Sequence, residues 1–233
     1  MITSAHNPKL RLIRRLLTSR RQREREGLFV CEGEDLLEAG RSAGVEPVDV
    51  LVAGEDVDPG LLAELSTLGH PPRVISVFRR DALPVGYRDV VLALWHVADP
   101  GNVGTLLRAA DAFGASVALS QGCADPTGPR ALRASAGAIF RVPLGRFDEA
   151  PGRRIGLDAN AGQALGELDL APPLVLVLGA EREGLGALEG LEPARIPMPG
   201  DAESLNVAMA GAIALYEQAR HTSATGSDPG TEV

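Results

Sequence analysis

Five polar side chains stand out in stretches otherwise made of small and apolar residues. Asn102 and Arg108 lie in "ADPGNVGTLLRAADAFGA" (98–115), Glu181 in "GAEREGLG" (179–186), and Ser204 and Asn206 in "PGDAESLN" (199–206). Each stretch also holds glycine, which lets backbone approach a ligand closely. Amides and a hydroxyl can orient a ligand by hydrogen bonds. A guanidinium can stabilise a developing oxyanion or grip a phosphate. The glycines invite a nucleotide-phosphate reading, but neither GxGxxG nor GK[ST] is present. Phosphate sites use bare N–H groups at a helix start, and Glu181 would repel a pyrophosphate. A neutral or cationic ligand fits better there, and S-adenosylmethionine, with its sulfonium and ammonium, is one.

Each residue also has a plainer reading. Asn102 could cap the helix that follows it, and Arg108 could sit in a surface ion pair. Glu181 could be a solvated loop charge, and Gly179 could serve turn geometry alone. Ser204 could cap the last helix, although Val207 denies it a capping-box partner. Asn206 falls in a first turn, where Asn is a poor helix former.

The surrounding pattern predicts how these loops are positioned. Residues 90–97, 116–120, 153–159 and 173–181 read as apolar strands, and 194–200 as a short extended segment. Helices are predicted to about 113 and over 128–140 and 204–220. Strands alternating with helices, each a continuous apolar run, predict a parallel sheet covered on both faces. Its ligand site then lies beyond the carboxyl ends of the strands, where the three loops are. Before it, a helix over 8–26, strands at 27–33, 48–54 and 73–77, and helices at 34–43 and 60–68 form a small α/β unit. The stretch 79–89, with Pro84 and Gly86, reads as a linker. The expected organisation is a first unit of residues 1–80, a linker at 81–89 and a second unit of 90–220. Residues 221–233, rich in Thr, Ser, Gly and Asp, predict a disordered tail.

The net charge of −8 on 233 residues hides an asymmetry: residues 1–30 carry +6, leaving −14 on the rest. Eight basic residues within positions 9–25 point to a local polyanion contact, the alternative being a solvated helix face. Cys31 and Cys123 stand apart without CxxC or a nearby His pair, which suits a reducing cytoplasm rather than a disulfide framework. The histidines at 6, 70, 96 and 221 are scattered and predict no metal site. No apolar run approaches the ~20 residues of a membrane span, and arginines interrupt any signal-peptide core.

Three stretches in this order resemble the three motifs of the SpoU-like (TrmH-type) RNA 2′-O-ribose methyltransferases of the SPOUT superfamily. They are "NVGTLLRAADAFGA" (102–115), "LVLVLGAEREGL" (174–185) and "IPMPGDAESLNVAMAGAIALYE" (196–217). "ALRASAGAIFRVPL" (131–144) is similar to the middle segment of that family, while Arg182-Glu183 is less typical of it. The resemblance covers roughly 90–220, and residues 1–80 resemble the small RNA substrate-binding domain often placed before it. It implies an α/β fold whose SPOUT-type parallel sheet ends in a C-terminal trefoil knot, an exception to the usual avoidance of knots. It implies S-adenosylmethionine as cofactor, held by backbone at Leu178, Gly179, Ile196, Met198 and Leu205. Asn102, Arg108, Glu181, Ser204 and Asn206 become the catalytic set, with no metal. Arg11, Arg14, Arg15 and Arg21 become RNA contacts. The substrate is RNA: the separate first unit favours rRNA, with tRNA, or a non-catalytic RNA-binding module, as alternatives. The family also implies a cytoplasmic homodimer built on the catalytic domain. The small-residue stripe Ala208, Gly211, Ala212, Leu215 and Ala219 is one candidate interface, packing on its own sheet the other.

Overall fold

The computed structural model describes residues 1–180, 183–186 and 188–225. Asn7 accepts the Lys9 N–H and Pro8 opens the first helix, α1 (Pro8–Thr18), which buries Leu10, Ile13, Leu16 and Leu17. The single helix expected over 8–26 is two. Ser19 leaves helical geometry (φ −132°, ψ 115°) and accepts the Gln22 N–H, capping α2 (Arg20–Glu26). A serine gains more as a cap than inside a helix. Then follow β1 (Leu28–Glu32), α3 (Glu34–Ser42), β2 (Asp49–Val52), α4 (Pro59–Leu65) and β3 (Val74–Arg79). The three strands form an antiparallel sheet in the order β1-β3-β2.

The stretch expected to be a linker is bound along the edge of the second sheet. Gly86 N–H donates to Leu144 O, Leu144 N–H donates to Pro84 O, and the Tyr87 hydroxyl bonds both main-chain groups of Arg146.

The second sheet contains β4 (Val90–Leu94), β5 (Ser116–Leu119), β6 (Leu144–Arg146), β7 (Arg153–Leu157), β8 (Leu174–Leu178) and β9 (Glu192–Ala194). Its order is β6-β5-β4-β8-β7-β9, and each pairing is parallel. Its helices are α5 (Pro100–Ala112), α6 (Pro129–Ser135) and α7 (Val207–Thr225). They do not cover both faces as expected. Leu92, Leu94, Val117, Leu176 and Leu178 share one apolar cluster with residues of all three helices. On the opposite face Val91, Ala93, Ala118, Val175 and Val177 are closed by Phe147, Ala150, Tyr87, Trp95, Leu185, Leu188 and Leu191. Loops and a short 3-10 turn supply enough apolar area there, so no helix is needed.

The helix expected over 128–140 ends at Ser135. Ala136 and Gly137 turn left-handed (φ 48° and 83°), and a Cβ on Gly137 would strike Ala39 of α3. The last helix begins later than expected and continues through residues 221–225; residues 226–233 of the expected tail lie outside the described residues. Its small-residue stripe faces inward. A Cβ on Gly211 would collide with Leu106 and Leu178, and Ala208 and Leu215 are buried. Ala208, Gly211 and Leu215 are therefore core and Ala212 and Ala219 half-buried, which favours packing on its own sheet, the second of the two readings, over an interface. The solvent face of α7 instead carries Met209, Ile213 and Tyr216, 57%, 38% and 57% exposed.

Candidate active site

Strand order reverses between β4 and β8: β5 and β6 lie to one side, β7 and β9 to the other. In an open parallel sheet the crevice above such a switch point receives ligands. The loops leaving these two strands are tied together there, since Trp95 N–H donates to Leu178 O at 2.8 Å.

The first loop starts α5. Asp99, not Asn102, is its cap: the Asp99 carboxylate accepts the Asn102 N–H at 3.0 Å, and Pro100 occupies the first turn. An Asp-Pro pair at a helix start is a readable signal for this arrangement. Asn102 thereby keeps its side chain for other work. Its Oδ1 accepts from Asn206 Nδ2 at 3.1 Å across 104 residues of chain. Asn206 in turn caps α7, its Oδ1 accepting the N–H groups of Ala208 (2.9 Å) and Met209 (3.3 Å). One side chain thus starts the last helix and joins it to the first loop. Ser204 is exposed and is not that cap, while Ile196, Met198 and Leu205 are half-buried along the approach to α7.

The β8 loop folds back on itself. Gly184 N–H donates to Ala180 O at 2.9 Å, and any Cβ on Gly179 would collide with the Gly184 main chain. Gly179 is required by this close approach. Glu181, expected in this loop, lies outside the described residues.

Arg108 makes no hydrogen bond to either asparagine among the described residues. Six residues beyond Asn102, it projects ~120° around an ideal helix from it and ~9 Å further along. It is exposed and enters no ion pair among the described residues. Arg11, Arg14, Arg15 and Arg21 are exposed on α1 and α2, but Arg23 of the same basic run is buried. Three features near the site were not read from the sequence. Arg130 pairs with Asp99 at 3.1 Å, a contact that local pattern does not encode. Trp95 and His96 stack with centroids 4.2 Å apart, and His96 has φ 55°. A left-handed histidine leaves no mark in a one-dimensional pattern.

No helix among the described residues is long and apolar enough to cross a membrane. Half-buried Ile196, Met198 and Leu205 offer apolar surface, which suits a nucleoside better than a polyphosphate.

Comparison with known proteins agrees with this architecture. The model of the SpoU rRNA Methylase family matches residues 89–216. An uncharacterised tRNA/rRNA methyltransferase of Synechocystis is 31% identical, the match covering 98% of this chain and 96% of the relative. The 23S rRNA (guanosine(2553)-2′-O)-methyltransferase RlmP of Bacillus subtilis is also 31% identical, over 92% of this chain and 97% of its own. The SpoU methyltransferase AviRb of Streptomyces viridochromogenes, solved with its cofactor AdoMet, superposes with a TM-score of 0.82. It is 25% identical, and the match covers 94% of this chain and 99% of that one. An AdoMet-bound rRNA methyltransferase of Sinorhizobium meliloti gives a TM-score of 0.82 at 29% identity, covering 94% and 97%. With its six-stranded parallel sheet and three motif loops, the chain belongs to the SpoU rRNA methylase family.

Proposed function

We propose that this chain methylates a ribose 2′-hydroxyl of RNA, ribosomal RNA before tRNA, with S-adenosylmethionine as methyl donor. The observation that carries the reading is the Asn102–Asn206 hydrogen bond at the strand-order reversal, which joins the first and third motif loops. Main chain at Leu178, Gly179, Ile196, Met198 and Leu205 would hold the cofactor, which supplies an electrophilic methyl group. Glu181, Ser204 and the two asparagines would orient cofactor and ribose. Positioning of this kind accounts for much of the rate of a displacement reaction. Arg108 would stabilise the negative charge that grows on the 2′-oxygen, since a guanidinium is too weak an acid to serve as its base.

Four further parts of the reading have structural support. A trefoil knot fits the path of the chain: after β8 it reaches the far edge at β9, then returns along 195–206 to set α7 against Leu178 and Leu106. A homodimer fits the exposed Met209, Ile213 and Tyr216 on α7, with Phe113 beside Tyr216. Such a dimer offers Arg108 a partner's site. The exposed arginines 11, 14, 15 and 21 give the first unit its RNA-binding role, and free, buried Cys31 and Cys123 suit the cytoplasm.

Incubation with S-adenosylmethionine labelled in its methyl group, followed by alkaline hydrolysis of the RNA, tests the reaction. The expected result is label in alkali-resistant dinucleotides from rRNA. Label confined to bases refutes the 2′-O reading, label in tRNA alone refutes the substrate, and no label with RNA still bound leaves a binding module.

A further inference from the structure

Contacts that join the first unit and the parallel-sheet unit include two unlike kinds. One is aromatic: Phe29 and Phe78 of the first sheet pack with Phe140, the Phe78–Phe140 centroids 4.9 Å apart. The other is charged and equally dry. Arg23 Nε of α2 meets Asp125 Oδ2 at 2.7 Å, with the two side chains only 7% and 5% exposed. Asp125 Oδ1 also takes Arg80 Nη1 at 3.3 Å and the Thr127 hydroxyl at 2.7 Å. Arg23 uses Nη1 to reach Leu16 O at 2.6 Å, which binds the end of α1 into the same cluster. Arg20 Nη1 donates to Cys123 O at 3.0 Å.

The segment carrying Asp125 is fixed on its other side to the strand that opens the site. Ala124 N–H donates to Val97 O, Cys123 Sγ to Leu94 O and Ser120 N–H to Leu94 O. Residues 95–99 then lead into Asp99 and Asn102. The arginine arm is therefore connected to the loop bearing Asn102 through the buried Asp125 carboxylate and, beside it, the Cys123 carbonyl.

Burying a guanidinium and a carboxylate together gains little stability over apolar side chains of like volume. The aromatic contact already joins the units. What the ion pair adds is a restricted geometry, because a guanidinium bonded at once to Asp125 and to Leu16 O cannot slide as phenyl rings can. We propose that Asp125 is a positioning residue that fixes the arginine-rich helices α1 and α2 at a set distance and angle from the Asn102 loop. RNA gripped by Arg11, Arg14, Arg15 and Arg21 is thereby presented with one ribose in register. This rests on the RNA-methylating reading above, and Asp125 itself touches neither RNA nor cofactor.

The test replaces the pair by apolar side chains, Arg23→Met with Asp125→Leu, in the full chain. Spin labels at Thr18→Cys on α1 and Ala112→Cys on α5, both exposed, report the distance between the units; Cys31 and Cys123 are buried. One narrow distance is expected with the pair intact and a broadened or split distribution without it. For methylation, kcat/KM on long rRNA fragments should fall ~10- to 100-fold, the scale of a misplaced reactant. Activity on an oligonucleotide too short to reach the arm should stay within about twofold. An unchanged distance distribution overturns the proposal, as does equal loss on long and short RNA, which marks a purely structural role. If the apolar pair does not fold, Asp125→Asn carries both measurements. An intact chain that methylates no RNA refutes the enzymatic reading instead, and the distance measurement still decides the role of the ion pair.

Discussion

The junction between the two units and the crevice between β4 and β8 are built on opposite plans. At the junction, Phe29, Phe78 and Phe140 and the Arg23–Asp125 pair are out of water, and Arg23 Nε and Nη1 and both Asp125 oxygens have partners inside the chain. At the crevice, Ser204 and Asn206 face solvent, and Arg108 stands exposed on α5. A closed surface fixes geometry; an open polar one leaves hydrogen-bonding capacity for a ligand. On the reading proposed above, the same chain uses burial to hold its arm and exposure to hold its substrate.

That contrast can be broken from either side. The largest effect is expected at the junction. Phe78→Ala removes a ring packed on two others and should cost about 3–5 kcal/mol of stability, read as a fall in denaturation midpoint; a cost under about 1 kcal/mol would mean the aromatic contact does not hold the units. At the crevice, Arg108→Ala should leave stability unchanged and lower the methylation rate ~10²–10³-fold, with cofactor affinity intact; a normal single-turnover rate removes Arg108 from the reaction. Asn206→Ala stands between the two plans. It should cost roughly 1 kcal/mol as a lost helix cap and also weaken cofactor binding measured by calorimetry, whereas a loss of stability alone makes it a cap only.

A smaller effect separates the plans by pH. Burial by itself would raise the Asp125 carboxyl, but the hydrogen bonds from Thr127 and Arg23 outweigh it and hold the group below its ordinary value. Its contribution is therefore present above the unfolded carboxyl's pKa and is lost as pH falls through the folded one. Acid titration of the intact chain should show this loss, and Asp125→Asn should flatten it. Identical acid limbs in the two proteins would remove Asp125 from that titration.

Much of this plan is legible in one dimension. The apolar runs at 90–94 and 174–178 depend on neighbours in sequence, so pattern finds them, whereas the cap considered at Asn102 is supplied by Asp99. The motif loops fall where strand ends require. The junction does not show this way. Arg23 reads like the other arginines of its run, and only Asp125, 102 residues on, makes it a core residue. The inward turn of Gly211 was hidden for the same reason. A stripe of small residues looks alike whether it meets another chain or its own sheet, and Leu106 and Leu178 decide between them. The loop-covered second face of the sheet is likewise a property of Phe147 and Trp95 arriving from separate segments.

The hydrogen bond between Asn102 and Asn206 has a consequence for synthesis. The first loop is translated 104 residues before the amide that joins it, so a ribosome carries the earlier strands well before the crevice exists. A growing chain stalled before residue 206 is expected to have a folded first unit and no cofactor affinity, which makes the growing enzyme inert beside the RNA that is making it. Capture of radiolabelled S-adenosylmethionine by chains stalled at residue 200 and released at 225 would measure that silence, and equal capture by both would show that the crevice forms without α7.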